Sequence, residues 1–376
     1  MTHFHSDHYG GITKGWNAGV IYCSLPTANL VHHKLGVDKK YLHPLCMNTP
    51  VAIVSRGKAI TVTLIDANHC PGAVMFLFHV GKRCILHVGD FRWDADTMLR
   101  NPTIRGLAAQ KPRLDDLFLD TTYCNEKYCL PSQQDAIAAA VEVATEEFEE
   151  SKRRKERLLM LFGAYTIGKE RIYLSVAEKL GRKVYVDRNR YRTLSLLDWS
   201  KERLSILTTD PSETCLWVVP LGHINFKRMV EYVNAPASKA LSSRSHDRVV
   251  GFRPTGWSMT ATARKANATN GRRIVTSRTS GALTVHGVPY SEHSSYTELV
   301  DCLDCLRPLR IIPTVTVSKS DAQVERLLQS LRRKDTERDE RIIEVAAAAC
   351  IDGSQKERDE QSVDEEIADE GIITID

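Results

Sequence analysis

His3-Phe4-His5-Ser6-Asp7-His8 sets three imidazoles and a carboxylate within six residues, a density that no ordinary core requires. On a tight strand-to-helix loop, the first two histidines can grip one cation while Asp7 and His8 face a second, and Zn²⁺ accepts both ligand types. The bland alternative is a histidine-rich surface turn or a tag remnant. A chance match to H-x-H-x-D-H arises on the order of once in a million positions, which weighs against it. Each cation would still be short of ligands, and two later segments supply the missing types. Asp66-Ala67-Asn68-His69-Cys70-Pro71-Gly72 offers His69, and Leu86-His87-Val88-Gly89-Asp90-Phe91-Arg92 offers Asp90. A single His or Asp at a strand end is most often structural; their order after the first loop is what points to a metal centre.

The elements that must position these residues are legible from periodicity. Residues 51–93 alternate in strand fashion, with Val62 and Leu64 against Thr61 and Thr63, then Val74 to Val80, a Gly81-Lys82 turn, and Cys84 to Val88. Leu117 to Leu119 forms a further strand ending at Asp120, and Gln133 to Glu150 has the pattern of an amphipathic helix. From about 157 to 282 the pattern changes to strand–loop–helix units. Their strands fall at 158–162, 184–186, 216–219 and 249–252, which implies a second α/β domain. The polar stretches 234–248 and 259–282 are expected to be surface loops. Leu283 to Val288 is expected to be a strand, Tyr296 to Leu306 a helix, and Ile311 to Val317 a last strand. The acidic, aromatic-poor end from about 346 is expected to be disordered.

With 376 residues, the chain can bury two cores. It contains no apolar run long enough for a membrane span and no signal-peptide pattern. Ten cysteines are scattered through apolar segments, which suits free thiols in a reducing compartment. Cys302-x-x-Cys305 has metal or redox spacing, but no matching second pair exists and its segment is helical in pattern, so a core role is expected. Net charge is +4, while the last 25 residues carry ten acids and two bases, leaving about +12 on the rest. A basic body suits a polyanionic partner. Lys152-Arg153-Arg154-Lys155 is read first as solvated helix surface, with a nuclear signal or a DNA-facing patch as the alternative.

The order HFHSDH, DANHCPGA, HVGDFR resembles the metallo-β-lactamase fold, and LFLDTTY, FRPTGW and VPYSEHSSY are similar to motifs of its β-CASP branch, which acts on nucleic acids. Together with AYTIGKE and IIPTV, these segments resemble the DNA cross-link repair nucleases, relatives of Artemis and Apollo, and within them the cross-link repair exonuclease members. The resemblance covers nearly all of residues 1 to about 320. It implies an αββα sandwich of the metallo-β-lactamase type with an inserted β-CASP α/β domain. The corresponding division is 1–130 and 283–345 for the first domain, 131–282 for the insert, and 346–376 for the tail.

Residue by residue, the resemblance implies that His3, His5 and His69 bind one Zn²⁺, that Asp90 bridges, and that Asp7 with His8 reaches a second metal. One ion would be held firmly, with room for a second. Paired cations can stabilise the attacking and leaving oxygens of a phosphodiester. Asp7 would also orient the attacking water. Asp120 matches the acid of the branch's first motif and His293 the histidine of the next, where an Asp–His pair readies an imidazole to protonate the departing 3′-oxygen. RNA-cleaving members carry another histidine on the last strand, where this chain has Val315, as in the DNA-acting group. Lys169, following Gly168 at an expected helix N-terminus, suits a phosphate. With Thr166 and Ser291 it would form a pocket for a terminal 5′-phosphate, against the alternative of a solvated lysine. Arg253 and Trp257 flank Pro254-Thr255-Gly256; Trp257 could stack on a base, although a packed wall between domains is the plainer role. His32, His33, His87 and His223 match no ligand role and are read as structural.

The family pattern has strands ahead of the first motif, whereas Met1 stands two residues before His3. The chain as written is therefore expected to lack those strands, as a truncated gene model or a fragment would. The function expected is zinc-dependent 5′-to-3′ hydrolysis of DNA from 5′-phosphorylated ends, in interstrand cross-link repair in the nucleus. The rivals are a structure-specific DNA or RNA endonuclease of the same branch and a non-catalytic DNA-binding fragment. A small-molecule hydrolase would leave the basic inserted domain without a purpose.

Overall fold

The computed structural model describes residues 1–55, 57–233, 246–256 and 274–341. Met1–Val324 form one compact unit and Glu325–Asp376 a second. Of the second, residues 325–341 are helical. No helix among the described residues is long and apolar enough to cross a membrane.

The chain opens with the loop that carries His3, His5, Asp7 and His8. Strands β1 (Ile21–Cys23) and β2 (Leu42–Pro44) then pair in parallel. β3 (Val51–Ser55), β4 (Lys58–Asp66), β5 (Val74–Val80) and β6 (Arg83–His87) form an antiparallel meander, and β7 (Asp116–Leu119) adds in parallel to β6. The next seven strands are β8 (Leu158–Ala164), β9 (Val184–Tyr185), β10 (Leu207–Thr208), β11 (Leu216–Pro220), β12 (Arg248–Pro254), β13 (Thr276–Ser280) and β14 (Leu283–Val288). They make a second sheet in the order β10-β9-β11-β8-β12-β14-β13. β15 (Arg310–Pro313) returns to the first sheet, whose order is β15-β7-β6-β5-β4-β3.

The sequence pattern explains each layer. In β4 and β5, Val62, Leu64, Val74 and Phe76 pack into one cluster with Leu45, while Thr63, Ile65, Met75 and Leu77 are buried too. This part of the meander is covered on both faces. β8 is buried along its whole length, as an uninterrupted apolar run in a central parallel strand requires. The edge of the first sheet is clamped by charge: the carboxylate of Asp116 on β7 receives Arg83 from β6 and Arg310 from β15.

Most expected elements form, with four differences. β14 pairs in parallel with β12, Val249 opposite Leu283, so residues 283–288 lie in the second sheet, not in the closing part of the first domain as the expected boundary at 282/283 had it. The order of apolar residues cannot say which sheet a short strand joins. Residues 276–280, expected as loop, form β13, antiparallel to β14. All five of its residues are exposed, so it carries no apolar alternation to read. The last strand ends at Pro313, because Thr316 adopts the left-handed region at φ 54° and a short 3₁₀ turn follows. The helix over 133–150 runs on to Arg154. Its basic end is exposed and ion-paired with Glu149 and Glu150, as a solvated helix surface would be. Cys302 is buried and Cys305 half-buried on the helix Tyr296–Leu306. Most of the polar stretches 234–248 and 259–282, Trp257, and the tail 346–376 lie outside the described residues.

Candidate metal centre and its cleft

Three loop segments meet at the ends of β4, β6 and the first residues of the chain. The Thr2 carbonyl accepts from Val74 N, pinning the opening segment to β5. Gly89 has φ +62°, and a Cβ there would lie 2.8 Å from the Thr2 side chain, so only glycine lets the two strands of chain approach this closely. Arg92 N donates to the Ala67 carbonyl, and Asn68 Nδ2 donates to the Arg92 carbonyl. The His69 and Asp90 loops are thereby stitched together, with His3 and His5 against them.

Four side chains converge there: His3, His5, His69 and Asp90 place one ligand atom each within 4.8 Å of one another. Their tautomers can be deduced from their partners, because a carbonyl only accepts. His69 donates from Nδ1 to the Glu292 carbonyl at 2.7 Å, and His5 donates from Nε2 to the Ile167 carbonyl at 3.3 Å. Burial holds both imidazoles below their ordinary value, His69 far below it, and so neutral. His69 Nε2 and His5 Nδ1 therefore both carry lone pairs, yet they face each other at 3.2 Å. No hydrogen bond can form between two acceptors; a shared cation would resolve the contact.

His3 adds a third lone pair when its Nδ1–H donates to Thr2 Oγ1, 3.1 Å away, because Nε2 is then unprotonated. Its Nε2 is buried without a hydrogen bond among the described residues, 3.5 Å from Asp90 Oδ2. Burial, followed by the neighbouring histidines, pulls its pKa down to about 2. A buried acceptor left bare is costly unless something binds it. The donor set of three neutral imidazoles and one carboxylate suits a divalent cation.

Beside it, Asp7, His8 and Asp90 form a second group and Asp90, Asp120 and His293 a third. His8 Nε2 lies 3.2 Å from Asp90 Oδ2 and 3.7 Å from Asp7 Oδ2. Burial alone would lower the His8 pKa, but the bond to Asp90 and the surrounding carboxylates raise it. Asp120 is fully buried at the end of β7 and accepts from Thr122 N and Oγ1. Its Oδ2 receives His293 Nδ1 at 2.8 Å. Burial opposes charge on both partners, yet the pairing wins: Asp120 is lowered and His293 raised. His293 is thus protonated more readily than a free imidazole, and its ring lies 4.8 Å from that of His69.

Of these residues, His5, Asp7, His8, His69, Asp90 and His293 line one cleft of about 900 Å³, which Thr166, Lys169, Tyr165 and Val315 also line, while His3 and Asp120 are buried out of its lining. The expected phosphate residues are distributed unevenly around it. Thr166 and Lys169 face the cleft, but Lys169 is not a spare cation. Its Nζ pairs with Glu292 Oε2 at 3.0 Å, and its backbone N donates to Glu292 Oε1 at 2.6 Å. Ser291 is buried and does not line the cleft; it bonds the backbone of His293, Oγ accepting from His293 N and donating to His293 O. Arg253 is exposed on β12 and lies outside the cleft lining. Of the histidines read as structural, His32 and His223 bond Val37 and Tyr232. His87 stacks on Phe118, although it also lines the cleft.

Sequence reasoning missed Glu292. Its carbonyl orients His69 and its carboxylate holds Lys169, two contacts 223 and 123 residues away in the chain. Gly168 makes that packing possible, since at φ +103° a Cβ would lie 2.9 Å from Glu292 Oε2. The only local signal was position, directly before His293. Arg92 was also passed over. Buried, it joins Glu298, the Ser291 carbonyl and the Pro131 carbonyl, and so holds the His293 segment in place.

Comparison with known proteins places the chain among DNA repair proteins by similarity. The DNA repair metallo-beta-lactamase family matches residues 201–319. The chicken protein named DNA cross-link repair 1A protein is 40% identical over 84% of this chain, which spans 30% of that protein. The Arabidopsis thaliana DNA cross-link repair protein SNM1 is 38% identical over 89% of this chain and 63% of its own length. The chicken 5′ exonuclease Apollo is 32% identical over 84% of this chain and 58% of its own length. The chain thus spans less than two thirds of each of these curated relatives. A crystal structure of an Enterococcus faecalis V583 protein of unknown function shares the fold, with a TM-score of 0.51 at 13% identity over 85% of this chain and 75% of that one. The family implies a bound metal, and the cluster around His3, His5, His69 and Asp90 has the donors to hold one. By sequence, residues 201–319 match the DNA repair metallo-beta-lactamase family, and the likeness to relatives named for DNA cross-link repair runs over 84–89% of the chain.

Proposed function

We propose that the chain is a zinc-dependent DNA nuclease that hydrolyses phosphodiesters in the 5′-to-3′ direction from 5′-phosphorylated ends, acting in interstrand cross-link repair in the nucleus. The observation that carries this reading is the facing pair of unprotonated nitrogens, His5 Nδ1 and His69 Nε2, beside Asp90 and within one cleft of an Asp120–His293 pair. The first sheet with the loops at its strand ends forms the metallo-β-lactamase domain in this reading, and the second sheet the β-CASP insert. Relatives named for cross-link repair and for 5′ exonuclease activity support the substrate and the polarity.

His3, His5, His69 and Asp90 would hold one Zn²⁺, and Asp7, His8 and Asp90 a second. Bound there, the cations supply Lewis-acid stabilisation of charge on the phosphodiester oxygens. The rest of the work falls to the chain's own groups. Asp7, whose side chain is 76% exposed to the cleft solvent, orients the attacking water and accepts its proton. His293 carries a proton that Asp120 stabilises, and gives it to the departing 3′-oxygen. Ser291 acts through the His293 backbone, fixing where that imidazole stands. Thr166 and Lys169 line the place for the terminal phosphate.

Digestion of a 3′-labelled oligonucleotide tests the reading. Stepwise shortening of the 5′-phosphorylated strand, with the 5′-hydroxyl strand cut at least tenfold more slowly, is expected. The Lys169–Glu292 ion pair favours a second reading, since it occupies the ammonium that a terminal phosphate would use: endonucleolytic cutting of the same DNA. Internal cleavage of an end-blocked strand would establish that reading in place of the first.

A further inference from the structure

A second cavity of about 440 Å³ adjoins the cleft. It lies at the C-terminal ends of three parallel strands, β8, β9 and β11, between Tyr165 and Thr166 after β8, Asp187, Asn189 and Arg190 after β9, and Leu221 and Gly222 after β11. Parallel sheets flanked by helices present their ligand sites at this edge. Tyr165 and Thr166 line both the cavity and the metal cleft, so a chain lying in one passes directly to the other.

The aromatic ring at that junction is unusual in its exposure. Tyr165 is 53% exposed, although it follows a strand buried along its whole length. The Lys169 ammonium sits over its ring, 5.0 Å from the centroid, and the cation's own pairing with Glu292 fixes it there. The Tyr165 backbone is held as well, by Arg190 Nη1 on its carbonyl at 2.6 Å. A braced aromatic side chain that remains solvent-exposed is preorganised to stack.

The wall of the cavity offers donors. Asn189 takes Lys34 Nζ on its amide oxygen at 2.9 Å, which leaves its N–H groups as what it presents. Above Gly222 the space is open: a Cβ at that position would meet nothing within 4 Å.

We propose that this cavity is a nucleoside subsite: an unpaired base of the DNA strand in the cleft stacks on Tyr165, with the Asn189 amide meeting acceptors on its edge or sugar. This rests on the nuclease reading for the identity of the strand, and it goes beyond that reading by naming what grips the base. Stacking is tolerant of base identity, so the subsite would favour the presence of a base over any particular sequence.

Binding, not turnover, tests it. A phosphorothioate-linked, 5′-phosphorylated single strand is titrated by anisotropy, with an intact or an abasic 5′-terminal nucleotide. A third strand carries 2-aminopurine at that position for fluorescence. The wild-type protein is expected to bind the intact strand about tenfold more tightly than the abasic one and to quench 2-aminopurine. Tyr165→Phe should keep both effects and Tyr165→Ala should lose both. Because Tyr165 is exposed, its truncation leaves the core untouched. Equal affinity of the wild type for both strands, or full discrimination by Tyr165→Ala, would overturn the subsite while leaving the nuclease reading standing. Failure of the wild type to bind any strand would overturn both.

Discussion

The chemistry of the cleft reduces to who holds which proton. His3, His5 and His69 are each depressed below the ordinary imidazole value of 6.5, chiefly by burial. In the metal-free protein, therefore, the unfolded chain takes up protons below that pH that the folded chain refuses, and stability is lost as the pH falls through about 6.5. His293 works in the other direction: its raised value gives stability that is present below 6.5 and lost as the pH rises through its folded pKa. His87 and His246 are lowered as well, while His8 and the buried Glu170 carboxyl are raised, so five groups oppose three and the urea midpoint of metal-free protein is expected to be lower at pH 5.5 than at pH 7.5. A higher midpoint at pH 5.5 would contradict the neutral tautomers assigned above. For catalysis, the protonated His293 requires a basic limb in kcat above pH 6.5. Asp120→Asn removes the charge that raises His293, so that limb should move to lower pH and kcat should fall on the order of 10²–10⁴-fold. An unshifted limb would mean that another group carries the proton.

At the scale of elements, the site depends on contacts that reach between segments far apart in the chain. Arg92 is 1% exposed and binds Glu298 through two of its nitrogens. Truncating it leaves a carboxylate and two carbonyls without their cation, so Arg92→Ala should cost about 3–5 kcal/mol in urea unfolding. A loss below 1 kcal/mol would show the clamp to be incidental. Gly168→Ala is expected to lower stability by about 1–3 kcal/mol through its positive φ and its crowding of Glu292. These contacts also mark the limit of what the sequence can tell. The cluster was legible because residue type and order sufficed: His3, His5, His69 and Asp90 stand in loops whose chemistry is written locally, and they converge. Glu292 was not, since its meaning comes from Lys169 and His69 at the far side of the fold. For the same reason Lys169 reads as a free phosphate ligand until its partner is seen. β13 carries no apolar signal because its side chains all sit in solvent, and β14 gives no hint of which sheet it completes.

The whole molecule sets two lobes of strands around one cleft, within a unit that spans Met1–Val324. Its charge outside the acidic end is about +12. Backbone contacts should therefore dominate DNA affinity, with log K falling linearly against log salt at about −0.7 per phosphate neutralised on single strands. Little sequence preference is expected; a flat salt response would point instead to recognition of bases alone. The central claim is that His3, His5, His69 and Asp90 form a metal centre on which phosphodiester hydrolysis depends. The direct measurement is zinc titration of chelator-stripped protein, following bound metal and DNA hydrolysis together, for the wild type and Asp90→Ala. Hydrolysis that appears in step with tight binding of at least one zinc in the wild type, and with neither in Asp90→Ala, is the predicted result. Undiminished hydrolysis by the stripped protein, or tight zinc binding that is unaffected by Asp90→Ala, would contradict it.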